Sequence, residues 1–256
     1  MQHVVSFSGG RTSAYLAWLI KQRYPDAKFV FMDTGAEHPK TYEFIREVDK
    51  RFDLNLTCLR TVVYPTMGDG CSFREVTLDE CVYDVGAWRD MVRKYTCPSV
   101  VGRAFCTDRM KVTPFTKWIK QNVKFDFTVW IGIRADEPKR LKERPNTKYL
   151  AEISDFGKDD VVAWWATQPF DLQISHEFGN CVFCLKKGLS RLRMVAQREP
   201  LLAQKFLDML QETNDGGTPI FRGNTSFQDL INGNTAQSCN ETENIDVTGW
   251  CCDTDS

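Results

Sequence analysis

Apolar positions along the chain come in blocks, and the period of the blocks changes between strand-like and helix-like. Val4-Val5-Ser6-Phe7 is a short, nearly continuous apolar run, as in a strand covered on both faces. Ala14-Tyr15-Leu16-Ala17-Trp18-Leu19-Ile20 then predicts a helix to about Tyr24, where Pro25 stops it. Residues 27–32 read as a second strand, and 54–59 alternate as a third. Between them Tyr42, Ile45, Val48 and Phe52 recur at helical spacing, which predicts a helix from Pro39 to about Phe52. Two strand–helix units followed by a strand imply parallel pairing with right-handed crossovers.

Periodicity fades over 61–103, leaving an irregular stretch with one helix expected at 85–94. Such a stretch suits a substrate-covering insertion, and Arg74, Arg89, Arg93, Lys94 and Arg103 in it can attract an anion or simply be solvated. A helix at 111–123 and a buried strand at 125–133 come next, then helices at 159–167, 189–197, 201–211 and 227–230. The expected fold is α/β: a Rossmann-like open parallel sheet with helices on both faces, plus a helical, cysteine-containing C-terminal part. The boundaries expected are 1–150 for the α/β domain, with the insertion at about 62–104, 151–231 for the helical part, and 232–256 for a polar, mobile tail.

Composition narrows the classes. The chain has 256 residues, 42% hydrophobic, with a formal net charge of −1, so no global field draws it to nucleic acid or membrane. No apolar stretch approaches membrane-spanning length and the N-terminus lacks a signal-peptide pattern, so a soluble, cytoplasmic protein is expected. Ten cysteines is a high count for such a compartment, and there close pairs point to metal or catalysis before disulfides.

The candidate chemistry begins at Ser8-Gly9-Gly10-Arg11-Thr12-Ser13, between the first strand and the first helix. A glycine turn there aims backbone N–H groups and a helix dipole at one spot, which suits a phosphate. Thr12 or Ser13 can cap the helix. Neither Gly-Lys-Ser/Thr nor G-x-G-x-x-G occurs at this loop, so two common phosphate motifs are excluded. Asp33-Thr34 ends the second strand and Gly132-Ile133-Arg134 the later buried strand. Ligands of open α/β sheets lie at those carboxyl ends. Asp33 is placed for a ribose or adenine edge, or else to cap its own turn. Arg134, with Asp136, Glu137 and Arg140, suits a phosphate clamp or a surface ion-pair network.

Cys181-x-x-Cys184 can grip one metal or cluster, and Cys106 and Cys97 can complete a four-thiolate set for iron–sulfur or zinc. A redox pair and unligated buried thiols are the other readings. Lys186 and Lys187 can meet an anion or be solvated. His38 is a candidate general base, or a helix-start residue.

The order of these motifs resembles a known family, the phosphoadenosine phosphosulfate (PAPS) reductase-like branch of the adenine nucleotide α-hydrolases (PP-loop ATP pyrophosphatases), of phage and mobile-element type. The resemblance rests on S-G-G-x-x-S at Ser8–Ser13, D-T-G-x-E-x-P at Asp33–Pro39, Cys106–Pro114, Ile131–Glu137 and Gly179–Cys184, and covers roughly the first 230 residues. It implies ATP or PAPS on Ser8–Ser13, Asp33, Thr34, Gly132 and Arg134, Mg2+ if the substrate is ATP, and Lys111 and Arg134 as further catalytic candidates. It also implies a 4Fe-4S cluster. Cluster-binding members carry a Cys-Cys pair where this chain has Cys106-Thr107, so Cys97 becomes the candidate fourth ligand. The C-terminal Glu-Cys-Gly-Leu-His motif of PAPS reductases is absent, and Cys239, Cys251 and Cys252 match it only in rough position.

The activity implied is adenylyl transfer with pyrophosphate release, or sulfonate or sulfur transfer. The acceptor is left open between a small molecule and tRNA or DNA, in a host cytoplasm if the chain is viral, and a homodimer is allowed. A zinc-stapled, non-catalytic nucleotide- or nucleic-acid-binding module is the alternative.

Overall fold

The computed structural model describes residues 1–95, 105–124, 126–179, 181–217, 219–222 and 225–233. Cys97, Arg103, Cys239, Cys251, Cys252 and the expected tail beyond residue 233 lie outside the described residues.

Strand β1 (Gln2–Phe7) leads into helix α1 (Arg11–Arg23), β2 (Lys28–Asp33) and α2 (Pro39–Phe52). Then come β3 (Thr57–Val63), β4 (Cys71–Val76), α3 (Gly86–Tyr95) and the single turn α4 (Phe105–Thr107). A π-helical turn at Asp108–Val112 runs into α5 (Thr113–Asn122), and β5 (Phe127–Ile131) and β6 (Thr147–Tyr149) complete the main sheet. The C-terminal part holds α6 (Lys158–Ala166), α7 (Leu189–Arg198), α8 (Pro200–Glu212), the small ribbon β7 (Ile220–Arg222) and β8 (Thr225–Ser226), and α9 (Phe227–Asn232).

The sheet order is β4-β3-β2-β1-β5-β6. All neighbours are parallel except β3 and β4, so the expectation of a parallel sheet needs one correction at its edge. Period-two alternation divides the strand side chains between two cores. Val5, Phe7, Phe29 and Phe31 pack with α1 and α2, whereas Val4, Val30, Met32, Val129 and Ile131 pack with Phe115, Trp118 and Ile119 of α5. Helices thus cover both faces, as the pattern predicts. Chain order reverses between β1 and β5, which makes their carboxyl ends the switch point where such folds open a crevice.

Two expectations shift. The third strand begins at Thr57 rather than residue 54, because Asp53 and Asn55 hold φ of 51° and 54°, which no strand pairing accommodates. The stretch expected to be irregular contributes β4, whose residues pair antiparallel from Cys58↔Val76 to Val63↔Cys71. Its arginines are tied up on the surface: Arg74 with Glu80, and Arg89 and Arg93 with Glu212.

Candidate functional site

The loop after β1 turns on Gly9, at φ 84°. A Cβ there would lie 2.8 Å from Ile45 Cδ1, so a side chain would strain the backbone and force the Ile45 side chain to shift. Gly10 is the N-cap of α1, and no side chain caps it. Thr12 and Ser13 do not cap because both lie inside the helix, past the capping position. Ser13 Oγ instead donates to the Gly10 carbonyl (2.9 Å), and Ser8 Oγ donates to Ser13 Oγ (2.9 Å), a chain of hydroxyls that braces the turn. The first turn of α1 carries no acidic residue, so its positive end is suited to an anion. Gly132, after β5, closes on the same turn: a Cβ there would meet Ser13 Cα at 3.2 Å and its N at 3.3 Å.

The two arginines of this region do other tasks than an exposed clamp would. The Arg134 side chain is 2% exposed; it donates from Nη1 to Thr12 Oγ1 (3.2 Å) and from Nε to Asp136 Oδ1 (2.9 Å). It therefore supports the helix start from within the protein, and the ion-pair network of the second reading is present but buried rather than on the surface. Arg11 reaches the C-terminal part, pairing both Asp171 carboxylate oxygens at 2.7 and 2.9 Å.

Asp33, at the end of β2, is wholly buried. Its Oδ1 accepts from Gly35 N (2.8 Å) and Tyr42 Oη (2.8 Å), and its Oδ2 accepts from Arg60 Nε (2.8 Å). Burial, then the Asp33 charge, push the Tyr42 phenol well above its ordinary value, so it remains a donor. Asp33 thus caps its own turn, the second of its two readings, and its carboxylate shapes the loop. Arg60 also bonds Asp84 and the Glu80 carbonyl, tying the β4–α3 connection to the same loop.

The cysteine motif folds onto this loop from the other half of the chain. Glu37 and Cys181 form an antiparallel bridge, and Val182 N donates to Ala36 O at 2.8 Å. Cys181 Sγ donates to Glu37 Oε1 (3.3 Å) and lies 3.3 Å from Thr34 Oγ1, which itself donates to Glu37 (3.2 Å). Lys111, presented by the π-helical turn, places Nζ 3.8 Å from Glu37 Oε1. Burial first, then the Glu37 charge, push the Cys181 thiol well above its ordinary value. Cys184 is partly exposed and closes the turn with N–H donated to Cys181 O (3.1 Å). Lys187 is 5% exposed, not solvated, and donates to Val182 O at 3.0 Å. Burial pulls its amine down to about 8.

Glu37 is the site residue that sequence reasoning missed, although it stands in the quoted D-T-G-x-E-x-P motif. His38 resolves as the helix-start residue. Its Nδ1 accepts from Lys40 N (3.1 Å), and its Nε2 lies 3.2 Å from Glu199 Oε1.

Among the described residues no group of three or more His, Cys, Asp or Glu side chains is gathered to hold a metal ion. Cys181 and Cys184 come together, Cys106 lies on the turn α4, and Cys97 lies outside the described residues. The described side chains therefore do not complete the four-thiolate set.

Residues 2–66 match the phosphoadenosine phosphosulfate reductase domain family. The chain is 45% identical over 244 residues to the nin region protein ORF290 of Escherichia phage lambda, covering 90% of this chain and 84% of that protein. It is 38% identical over 237 residues to protein MJ0973 of Methanocaldococcus jannaschii, covering 88% of this chain and 51% of that one. A phosphoadenosine 5'-phosphosulfate reductase of Thiocapsa roseopersicina is 36% identical over 64 residues, 25% of this chain and 27% of that enzyme. Among solved structures, a PAPS reductase from Candida auris in a phosphate complex aligns with a TM-score of 0.40 and 16% identity, over 65% of this chain and 72% of that one.

Proposed function

The chain belongs to the PAPS reductase-like family, in the phage branch that includes the lambda nin region protein, and on that premise we propose that it is an adenine-nucleotide-dependent enzyme. The observation that carries the reading is the uncapped start of α1 behind Gly9-Gly10, at the switch point and flanked by Gly132. Backbone N–H groups fixed before the substrate arrives stabilise phosphate charge without reorganising. Ser8, Thr12 and Ser13 frame the phosphates, Thr34 borders the nucleoside side, and Arg134 holds the helix start in place.

Two reactions fit that cradle. With ATP, which carries Mg2+ on its phosphates, an acceptor oxygen or sulfur attacks the α-phosphorus. The α–β phosphoanhydride bond breaks, pyrophosphate leaves, and the acceptor is adenylylated. With PAPS, a thiolate attacks the sulfonate sulfur, the S–O bond breaks, adenosine 3',5'-bisphosphate leaves, and an S-sulfonated thiol remains; a dithiol reductant then attacks its inner sulfur, is oxidised to the disulfide, and releases sulfite. Sulfur chemistry is supported by the folding of the cysteine loop onto Thr34 and Glu37. A tRNA or DNA acceptor stays within this proposal, as does a small molecule.

A cysteine-held iron–sulfur cluster, with zinc as the alternative, is a separate part of the proposal. Its ligands would be Cys181, Cys184, Cys106 and Cys97. No step above is routed through it. The test is product analysis after incubation with Mg·ATP, or with PAPS and a dithiol reductant, on anaerobically purified protein assayed in parallel for iron, sulfide and zinc. Pyrophosphate release assigns the first reaction, and sulfite with adenosine bisphosphate the second. Stoichiometric zinc with turnover of neither nucleotide would favour the non-catalytic binding module.

A further inference from the structure

At the edge of the sheet opposite the phosphate loop, where β1 and β2 begin and α1 ends, the chain forms an open cavity of about 610 Å³. That is within the range of roughly 300–1,000 Å³ usual for small-molecule sites. His3, Arg23, Tyr24 and Asp26 are among its lining residues. None of these side chains takes part in the chemistry described above.

His3 is the fixed element. Trp130, 2% exposed, donates from Nε1 to His3 Nδ1 (3.0 Å), and an indole nitrogen can only donate. Nδ1 is therefore an acceptor, and the neutral ring carries its proton on Nε2. Burial first, then neighbouring positive charge, pull the imidazole below its ordinary value, so it is neutral at pH 7. The two ring nitrogens point in different directions, so anchoring Nδ1 on a buried tryptophan turns Nε2–H away from the interior. It presents a hydrogen-bond donor, and its proton excludes it as a metal ligand in this tautomer. Tyr24 stacks on His3, with ring centroids 3.6 Å apart at 14°, and stays 37% exposed. No ring other than His3 is stacked on Tyr24 among the described residues; Trp130 lies beside the pair, at 6.2 and 6.4 Å. The side chains of Arg23 and Asp26 have no hydrogen bond or ion pair among the described residues. The cavity thus gathers an oriented N–H donor, a guanidinium, a carboxylate and a ring face. A ligand that uses all four has a planar ring with an acceptor atom, a hydroxyl donor and an anionic group.

We propose that this cavity is a second ligand site, for a nucleoside monophosphate. The base stacks on Tyr24 and accepts from His3 Nε2–H, the ribose hydroxyls donate to Asp26, and the phosphate pairs with Arg23. The site does not depend on the nucleotide-binding reading of the phosphate loop. The six residues of β1 separate the two by about 20 Å, and α1 runs between them from Arg11 to Arg23.

The test reads the histidine ring signals in NMR spectra of the full chain, which has three histidines; the His3 signal is assigned by its loss in His3→Gln. Adenosine 5'-monophosphate and guanosine 5'-monophosphate are titrated in, with adenosine and ribose 5-phosphate as partial ligands. The expected result is a saturable shift of the His3 signal, half-complete at or below about 1 mM for at least one monophosphate. Tyr24→Leu should weaken that binding about tenfold or more, as for a lost base–aromatic stack. Arg23→Gln should weaken the monophosphate by a similar factor and leave adenosine unchanged. Both side chains are exposed, so these variants keep the fold. Gly132→Val, which presses on the phosphate loop, should leave the His3 response as it is, so the two sites are read separately. No saturable shift with either monophosphate overturns the proposal. So does an equal response to ribose 5-phosphate, which would make Arg23 a simple anion contact, and so does an undiminished response in Tyr24→Leu.

Discussion

Lys187 carries its charge at neutral pH against the cost of burial. Its folded value of about 8 lies below the 10.5 of a free lysine. Between those values the unfolded chain binds the proton more tightly, so this group makes stability rise with pH across about 8 to 10.5. Below that window both states are protonated and the full penalty stands, of order 3 kcal/mol. Lys187→Met should therefore raise the thermal midpoint at pH 7 and flatten the rise above pH 8. Melting curves between pH 7 and 10.5 check this, and a lower midpoint for the variant at pH 7 would contradict it. Individual residues were unevenly legible in the sequence. Gly9 and Gly10 announce their loop because only glycine permits such a turn. Whether Lys187 is buried or solvated depends on the chain 150 residues away, where Ala36 bonds Val182, and local pattern carries no trace of that.

At the scale of elements, Asp33 and Arg60 join the β2 loop, the interior of β3 and the β4–α3 connection into one unit. Both groups are buried, so removing one strands the other. Arg60→Met should cost about 3–5 kcal/mol in urea unfolding, and Asp33→Asn combined with it less than the sum of the two. Additive losses would mean that the pair is not coupled. The helices were the most readable elements: Pro39, at the start of α2, and Tyr24-Pro25, after α1, mark boundaries that the structure keeps. β4 was invisible because an edge strand buries few of its residues and so lacks a clean alternation. The start of β3 was misplaced because the left-handed turn at Asp53 and Asn55 has no glycine to signal it.

In the whole molecule, three strand ends and the distant cysteine loop converge on one edge of the sheet. Arg11 anchors that edge to the C-terminal part through Asp171, and Trp165 Nε1 donates to Arg11 O at 3.0 Å. The first residue of α1 is thereby held by residues some 150 positions away. The α/β class was readable from period and order alone. The closure of Cys181 on Glu37 was not, because it is a tertiary contact between two loops. No helix among the described residues is long and apolar enough to cross a membrane. The central claim is that an adenine nucleotide sits where α1 begins, with Gly132 closing the turn. It is tested most directly by equilibrium binding of Mg·ATP and adenosine 3',5'-bisphosphate to wild type and to Gly132→Val, whose side chain would press on the Ser13 backbone. The account predicts saturable binding of at least one nucleotide to the wild type and a loss of about tenfold or more in the variant, with the fold retained. Binding of neither nucleotide, or undiminished binding to the variant, would contradict it.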